Sequence, residues 1–478
     1  MEERKGFGSN FGFLMAAVGS AVGLGNIWGF PNKMGANGGF TFLIIYLLLA
    51  ACCGLIVMIG ELALGRKTGK GAVGAYQILS KKFRWLGWLG ILSAFLILFF
   101  YCALGGYCIK YVVLNVGNLF GAGFGSNGLN GAEVFGAFMG NQMEAVISGL
   151  IFVLLTMLIV MGGVGGGIEK VCSVGMPALF IILLICIIRA CTLPGAVDGL
   201  KYMFVPGWAL EHGVIDKAPD LLTVLSTAGG QMFFSLSLGM GAMITYGSYL
   251  NKKENIEKNA LLIVIMDTMV ALMAGLCVIP GRFALDPTGK LGGPSLLFVT
   301  MQNVFDNMPL GSVFGILFYL LVVFAAISSS ISLLEVIVAH FCDKAREKGK
   351  GDKRKAYSLI AAAAVGVGCI LVCLDCLGGA GISPFNILGM NPENGLPMWS
   401  DCWLDFFDCI SEGILMPLGA LLMCLCIGWE IGPKVVDEEV TLEGQNFKLR
   451  GFFNICVKII TPLGMLLVLY GQIKDFFF

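Results

Sequence analysis

The chain has 478 residues, 57% of them hydrophobic and 13% charged, and its 31 basic residues are balanced by 31 acidic ones. Apolar runs of about 20 residues recur from end to end, a composition that excludes an ordinary soluble fold and points to a bilayer as solvent. Zero net charge offers no basic surface for nucleic acid, and 17 cysteines with two histidines form no Cys/His cluster, so no metal site of that type is expected.

The N-terminal MEERKGFGSN has mixed charge and leads into the first apolar run without a cleavage motif, so no signal peptide is expected. Hydrophobic runs predict eleven membrane helices, numbered 1 to 11, at 10–34, 40–65, 86–116, 143–162, 168–190, 222–250, 257–281, 310–342, 356–375, 402–429 and 450–473. Helix 1 contains GSAVGLGNIWGFP (19–31), with Gly19, Gly23, Gly25 and Gly29 beside Asn26 and Pro31. Backbone this permissive is tolerated at membrane depth only where it lines a cavity, and a loosened helix there presents carbonyls and helix ends to ions and small polar solutes. Helix 6 is interrupted in the same way at FFSLSLGMGA (233–242), five helices later. Paired interruptions of this kind indicate an inverted repeat with its site at the midplane. The expected fold is therefore an all-α membrane protein in which 10–190 and 222–429 form a 5+5 inverted repeat and 450–473 is an added helix.

Of the loops, 191–221 and 282–309 mix Trp, Phe, Leu and Pro with charges, as short surface helices do, whereas 117–142 is Gly/Asn-rich and reads as a flexible loop. Cys376 and Cys402 flank the loop 376–401; their placement permits a disulfide but does not require one. Cys52, Cys53, Cys186 and Cys424 lie in apolar runs and read as packing residues. Loops on the N-terminal side hold 22 of the 31 basic residues, against five on the other side. The positive-inside rule then places the N-terminus in the cytoplasm and, with an odd helix count, the C-terminus outside.

GSAVGLGNIWGFP, GQMFFSLSLGMGAMITYGSY (230–249) and FAAISSSISLLE (324–335) resemble helices 1, 6 and 8 of the neurotransmitter:sodium symporters, and most of all the bacterial eleven-helix amino-acid transporters. The resemblance covers nearly the whole chain and implies a single transporter domain in the cell inner membrane that couples sodium to amino-acid import, with no chemical catalysis. It also implies two sodium sites. One joins carbonyls of Gly19, Val22 and Ala325 with hydroxyls of Ser328 and Ser329; Ala325 and Ser328 stand three apart on one face of helix 8. Taken alone, Ser328–Ser330 read equally well as small residues that ease helix packing. The other joins the Ala21 carbonyl, Asn26, Ser235 and Asp267 with the substrate's own carboxylate. Asp267 lies deep in ALLIVIMDTMVALMAGL, where a carboxylate is costly without a partner, and no Lys or Arg sits at that depth in neighbouring helices. Chloride-dependent relatives have asparagine at that position and serine four residues on; here the later residue is Ala271, so chloride is not expected to be required.

The same likeness places a substrate at Ala21, Gly23, Leu24, Gly25, Ile97, Tyr101, Phe234, Ser235, Ser237, Met240, Ser329 and Leu333. Gly23 takes the place of an aspartate that holds the amine in monoamine carriers, and the apolar Ile97, Phe234, Met240 and Leu333 suit a neutral, hydrophobic or aromatic amino acid. An inner gate would consist of Arg4 and Asp343 with Ser248 and Tyr249, and Phe7 replaces the family's tryptophan. At the outer gate the family's arginine is replaced by Gly29, facing Asp408, and Lys33 stands one turn along the same face. Helix 5 begins GGGIEKVCSVGMP, and the spacing from Gly167 to Pro177 resembles the segment whose unwinding lets water reach the inner sodium site. The expected partners are a small amino acid and the bilayer, with no nucleic acid and no obligate protein partner. The alternative is a sensor of the same fold that binds an amino acid without moving it.

Overall fold

The computed structural model describes residues 6–285, 295–351, 353–388 and 400–477, all of them helix or connecting loop with no strand among them. Among the described residues nine unbroken segments are long and apolar enough to cross a membrane: Phe40–Thr68, Leu86–Phe120, Gln142–Met161, Val164–Cys191, Ile256–Ala284, Gly311–Glu347, Arg354–Asp375, Trp403–Glu430 and Arg450–Lys474. They correspond to helices 2–5 and 7–11. Helix 1 is a bent pair, Asn10–Ala21 and Gly25–Ala36, turned by 47° at its break. Helix 6 is divided into Leu221–Leu236 and Ala242–Gly247, each half too short to cross alone.

Both breaks lie where the sequence loosens. Val22 is extended at the end of the first half of helix 1. In helix 6, Ser237 adopts a left-handed conformation, and Gly239 (φ 79°) and Gly241 (φ 75°) continue it at little steric cost. Polar backbone groups freed by a break need partners in an apolar interior. The two breaks supply them to each other: the Ser237 hydroxyl donates to the Ser20 carbonyl at 2.7 Å. The buried Glu61 of helix 2 accepts the Gly239 N–H at 2.7 Å.

The broken helices occupy the centre. The first half of helix 1 packs against helices 5, 7 and 8, and helix 8 runs along helix 3. In the most apolar stretch of helix 8, 78% of residues are buried, against 28% for helix 5. Helix 8 is thus a central post, while helix 5 lies at the periphery with one face on helix 1.

The expected short helices of 191–221 are present as Ala196–Phe204 and Trp208–Glu211, and helix recurs over Leu296–Asp306. The stretch 117–142 differs from expectation. Helix 3 runs on to Phe120, and Gly131–Gly140 is a helix whose start is closed by a reciprocal cap between Asn130 and Glu133, with both bonds at 3.0 Å. The Asn-x-x-Glu cap is the local signal there, and it outweighs the glycine content. Cys376 and Cys402 are both free thiols; Cys402 instead caps the start of helix 10 through Asp405. Cys373 and Cys376 stand in C-x-x-C spacing at the end of helix 9, likewise as free thiols.

Candidate functional site

Two polar clusters lie at the helix breaks. In the inner one, Ser329 Oγ lies 3.3 Å from the carbonyl oxygens of both Gly19 and Val22, and Ser328 Oγ lies 3.4 Å from the Val22 carbonyl and 2.9 Å from that of Ala325. All five expected residues meet here. Most of these separations are long for O–H···O bonds, which favour about 2.7–2.8 Å. A cation that binds oxygen at about 2.4 Å holds adjacent ligands about 3.4 Å apart, so the donor set fits a hard cation.

The second cluster is fully buried and centred on Asp267. Asn26 Nδ2 donates to Asp267 Oδ1 (2.7 Å) and to Ser235 Oγ (2.9 Å), and Ser235 Oγ donates to Asp267 Oδ2 (2.9 Å). The Asn26 amide oxygen accepts the Gly23 N–H at 3.0 Å, which ties the break of helix 1 to the same cluster. Tyr46 of helix 2 also belongs here, its hydroxyl 3.3 Å from Ser235 Oγ and 3.5 Å from Asp267 Oδ2. It lies outside the expected set because one tyrosine in FTFLIIYLLL carries no positional signal. Asp267 is thus met by neutral donors from three helices, which leaves its negative charge available to a cation. Among the described residues no group of three or more His, Cys, Asp and Glu side chains is placed to hold a metal, so oxygens of backbone, hydroxyl, amide and one carboxylate form the whole donor set.

Above the inner cluster the Tyr101 hydroxyl accepts the Leu24 N–H at 2.9 Å, and the Phe234 ring lies edge-on to Tyr101 at 6.3 Å. Ile97, Met240 and Leu333 are buried in the core that encloses the breaks. At Gly23 the surroundings themselves require a glycine. A Cβ there would lie 2.3 Å from both Tyr101 Oη and Ser329 Oγ, so two hydroxyls already converge on the bare Cα. Gly23→Ala is accordingly expected to cost about 1–3 kcal/mol through forced displacement of Tyr101 or Ser329. The check is thermal unfolding together with substrate binding, and both should be impaired. An open cavity of about 600 Å³ between Gly117–Asn130 and Asn303–Ser312 is remote from this chemistry; the centre itself is close-packed.

At the expected outer gate Lys33 forms its ion pair with Glu412, one turn beyond Asp408 on helix 10. Lys33 and Glu412 each stand four residues beyond the expected pair of positions, Gly29 and Asp408, and their pairing is visible in the sequence only once the two helices are known to face each other. Gln231 fills the room beside Gly29: its Nε2 donates to the Gly25 carbonyl at 2.7 Å, and its Oε1 lies 2.8 Å from where a Gly29 Cβ would be. Of the expected inner gate, Arg4 lies outside the described residues. Asp343 is buried and accepts the Gly71 N–H at 3.0 Å. Ser248 bonds back to the Thr245 carbonyl within its own helix. Tyr249 donates to Glu335 at 2.6 Å, and Arg354 grips the same carboxylate with two bonds of 2.6 and 3.0 Å. Glu335 and Arg354 lie outside the expected set, although a glutamate in the middle of an apolar helix is a signal of the same kind as Asp267. Phe7 packs edge-on against Phe13, Tyr246 and Tyr249 at 5.5–6.2 Å.

Known proteins resemble this chain along nearly its whole length. A profile of the sodium:neurotransmitter symporter family matches residues 4–121 and 137–477. A sodium-dependent transporter of Bacillus subtilis is 34% identical over 477 residues, covering 97% of each chain. One from Methanocaldococcus jannaschii is 30% identical over 485 residues, covering 98% of this chain and 90% of its own. The crystal structure of MhsT in complex with L-phenylalanine superposes with a TM-score of 0.83 at 32% identity, covering 98% of this chain and 100% of that one. With its two broken helices, their converging oxygens and a match along nearly its whole length, the chain is a multi-pass membrane transporter, not an enzyme, and belongs to the sodium:neurotransmitter symporter family.

Proposed function

We propose that this protein imports a neutral, hydrophobic or aromatic amino acid together with sodium, by alternating access around the helix breaks. The observation that carries this reading is the pair of oxygen clusters, Gly19/Val22/Ala325/Ser328/Ser329 and Asn26/Ser235/Asp267, on either side of Gly23. The first would hold one sodium. The second would hold another, completed by the Ala21 carbonyl and the substrate carboxylate, with the Asn26 amide turning its oxygen inward as the cation replaces the neutral donors. The relative MhsT was crystallised with L-phenylalanine, which fits the apolar enclosure of Ile97, Phe234, Met240 and Leu333. The substrate amine would meet backbone carbonyls near Ala21 and Ser237. In this reading 10–190 and 222–429 are the two inverted halves, 450–473 is an addition, the N-terminus is cytoplasmic and the C-terminus outside. Lys33 with Glu412 closes the outer side, and Tyr249, Glu335 and Arg354 close the inner side together with Asp343 and Arg4.

A thermal-shift screen of the twenty amino acids with and without sodium tests the proposal, because a ligand stabilises the state it binds. Stabilisation by large apolar amino acids only in sodium is expected; stabilisation that ignores sodium would overturn it. Counterflow of labelled substrate in proteoliposomes then separates a carrier from a sensor.

Chloride is expected to be dispensable, because Asp267 already brings the negative charge and Ala271, buried one turn later, has no hydroxyl to offer an anion. Uptake in gluconate should equal uptake in chloride, and a severalfold drop would contradict this. The double replacement Asp267→Asn with Ala271→Ser should create chloride dependence.

A further inference from the structure

Several basic side chains on the N-terminal side of the helices are matched by an acid. Arg66 pairs with Glu439, Lys67 with Glu438, Lys70 with Glu347, Arg354 with Glu335 and Arg450 with Asp437. The turn SKKFRW (80–85), between the short helix Ala72–Leu79 and helix 3, departs from this pattern. Lys81, Lys82 and Arg84 are exposed, and none of them forms a salt bridge among the described residues. One carboxylate is at hand, that of Glu430 at the end of helix 10, and it is engaged with the turn itself. It accepts the Ser80 hydroxyl at 2.7 Å and the N–H groups of Lys82 and Lys81 at 3.0 and 3.2 Å, and its charge faces Lys82. The turn is thus held by its backbone, while three positive charges stand against one negative.

Large apolar side chains lie open beside these charges. Trp85 and Trp88 are 50% and 45% exposed, Trp429, next to Glu430, is 70% exposed, and Ile78 of the short helix is 61% exposed. Two of the three indoles are held in place: Trp88 packs edge-on to His340 of helix 8 at 4.7 Å, and Trp429 Nε1 donates to the Lys458 carbonyl at 3.3 Å. Tryptophan, apolar with one polar N–H, concentrates where hydrocarbon meets headgroups, so these rings mark the turn as lying at the membrane surface. A free anion would leave the indoles in water, and neutral lipid would leave the cations without a partner. A phospholipid with an anionic headgroup supplies a phosphate for the cations and acyl chains for the rings. The short helix carries the contact inward. The Gly71 N–H is bonded to Asp343 at 3.0 Å, and a Cβ at Gly241, in the break of helix 6, would lie 2.6 Å from the Ala72 Cβ.

We propose that the turn 80–85, with Trp88 and Trp429, is a docking site for an anionic phospholipid, its phosphate on Lys81, Lys82 and Arg84 and its acyl chains along the indoles, and that the bound lipid braces the short helix against the break of helix 6. That this lipid belongs to the inner leaflet rests on the cytoplasmic placement of the N-terminus; binding itself does not depend on that placement, so either can fail alone. Full-length protein equilibrated in micelles with equal amounts of phosphatidylglycerol and phosphatidylcholine, then weighed by native mass spectrometry, reports which lipid it keeps. The wild type should retain phosphatidylglycerol severalfold over phosphatidylcholine, and less so at high salt. Lys81→Gln with Arg84→Gln should remove most of that preference. Lys67→Gln with Lys70→Gln removes the same charge from paired lysines just before the short helix and should leave the preference intact. Thermal unfolding gives a second readout, each protein being referred to its own midpoint in phosphatidylcholine. Phosphatidylglycerol should raise the midpoint of the wild type and of Lys67→Gln/Lys70→Gln, but not that of Lys81→Gln/Arg84→Gln. No lipid preference in the wild type would overturn the site. An equal loss in both double variants would also overturn it, showing only a general attraction to positive surface. Equal stabilisation by soluble glycerol 3-phosphate would overturn the lipid in favour of a free phosphate ester.

Discussion

Exchanging sodium for choline or potassium is expected to abolish tight substrate binding, and Asn26→Ala or Ser328→Ala to raise the sodium requirement at least about tenfold each. In the proposed sites each replacement removes an oxygen from a buried cation, where a bond to a charged group contributes about 1.5–3 kcal/mol, equivalent to roughly 10–150-fold in affinity. Asn26→Ala should be the more damaging of the two. It strips Asp267 of its 2.7 Å donor and frees the Gly23 N–H as well, so both the cluster and the break of helix 1 lose a tie. Cys424→Ala serves as the control, since that buried thiol belongs to neither cluster and should leave sodium dependence unchanged. Equilibrium binding of a labelled amino acid across a sodium titration provides the measurement. Equal affinity in choline would contradict the assignment of both clusters.

Amino acids with large apolar side chains should bind more tightly than glycine, aspartate or lysine, and tryptamine should bind at least about 30-fold more weakly than tryptophan. Two separate costs produce this order. Ile97, Phe234, Met240 and Leu333 offer no partner to a charged or polar side chain, and burying such a group without one costs roughly 2–7 kcal/mol even when it is neutral. An amine without its carboxylate would leave the second cation short of a ligand and the amides near Leu24 and Gly25 without an anion. No side chain at Gly23 can compensate, because Tyr101 and Ser329 crowd that Cα to 2.3 Å of any added carbon. Met240→Phe should penalise the bulkiest substrates first, since it fills the flexible end of the enclosure. Competition against a labelled aromatic amino acid decides the matter. Tryptamine competing as well as tryptophan would show that the carboxylate is not recognised.

The membrane helices, the two breaks and the residues at them are legible in the amino-acid sequence by itself, because each rests on a local signal. Apolar length marks a span, and GSAVGLGN and FFSLSLGMGA announce their loosened backbone within a few residues. A carboxylate deep in an apolar run, such as Asp267, declares that it has a partner. What a local pattern does not carry is which partner. Tyr46 joins Asn26 and Ser235 around Asp267, Lys33 meets Glu412 and not Asp408, Gln231 occupies the ground beside Gly29, and Glu169 reaches back to Gly8 and Ser9. Each of these pairs joins different helices, and the partners stand far apart along the chain. Hydrophobic periodicity records which face of a helix avoids water or lipid, but not which neighbour that face meets or at what height. A difference of one turn moves a lysine from one carboxylate to the next, and only the placement of helix 1 relative to helix 10 decides it.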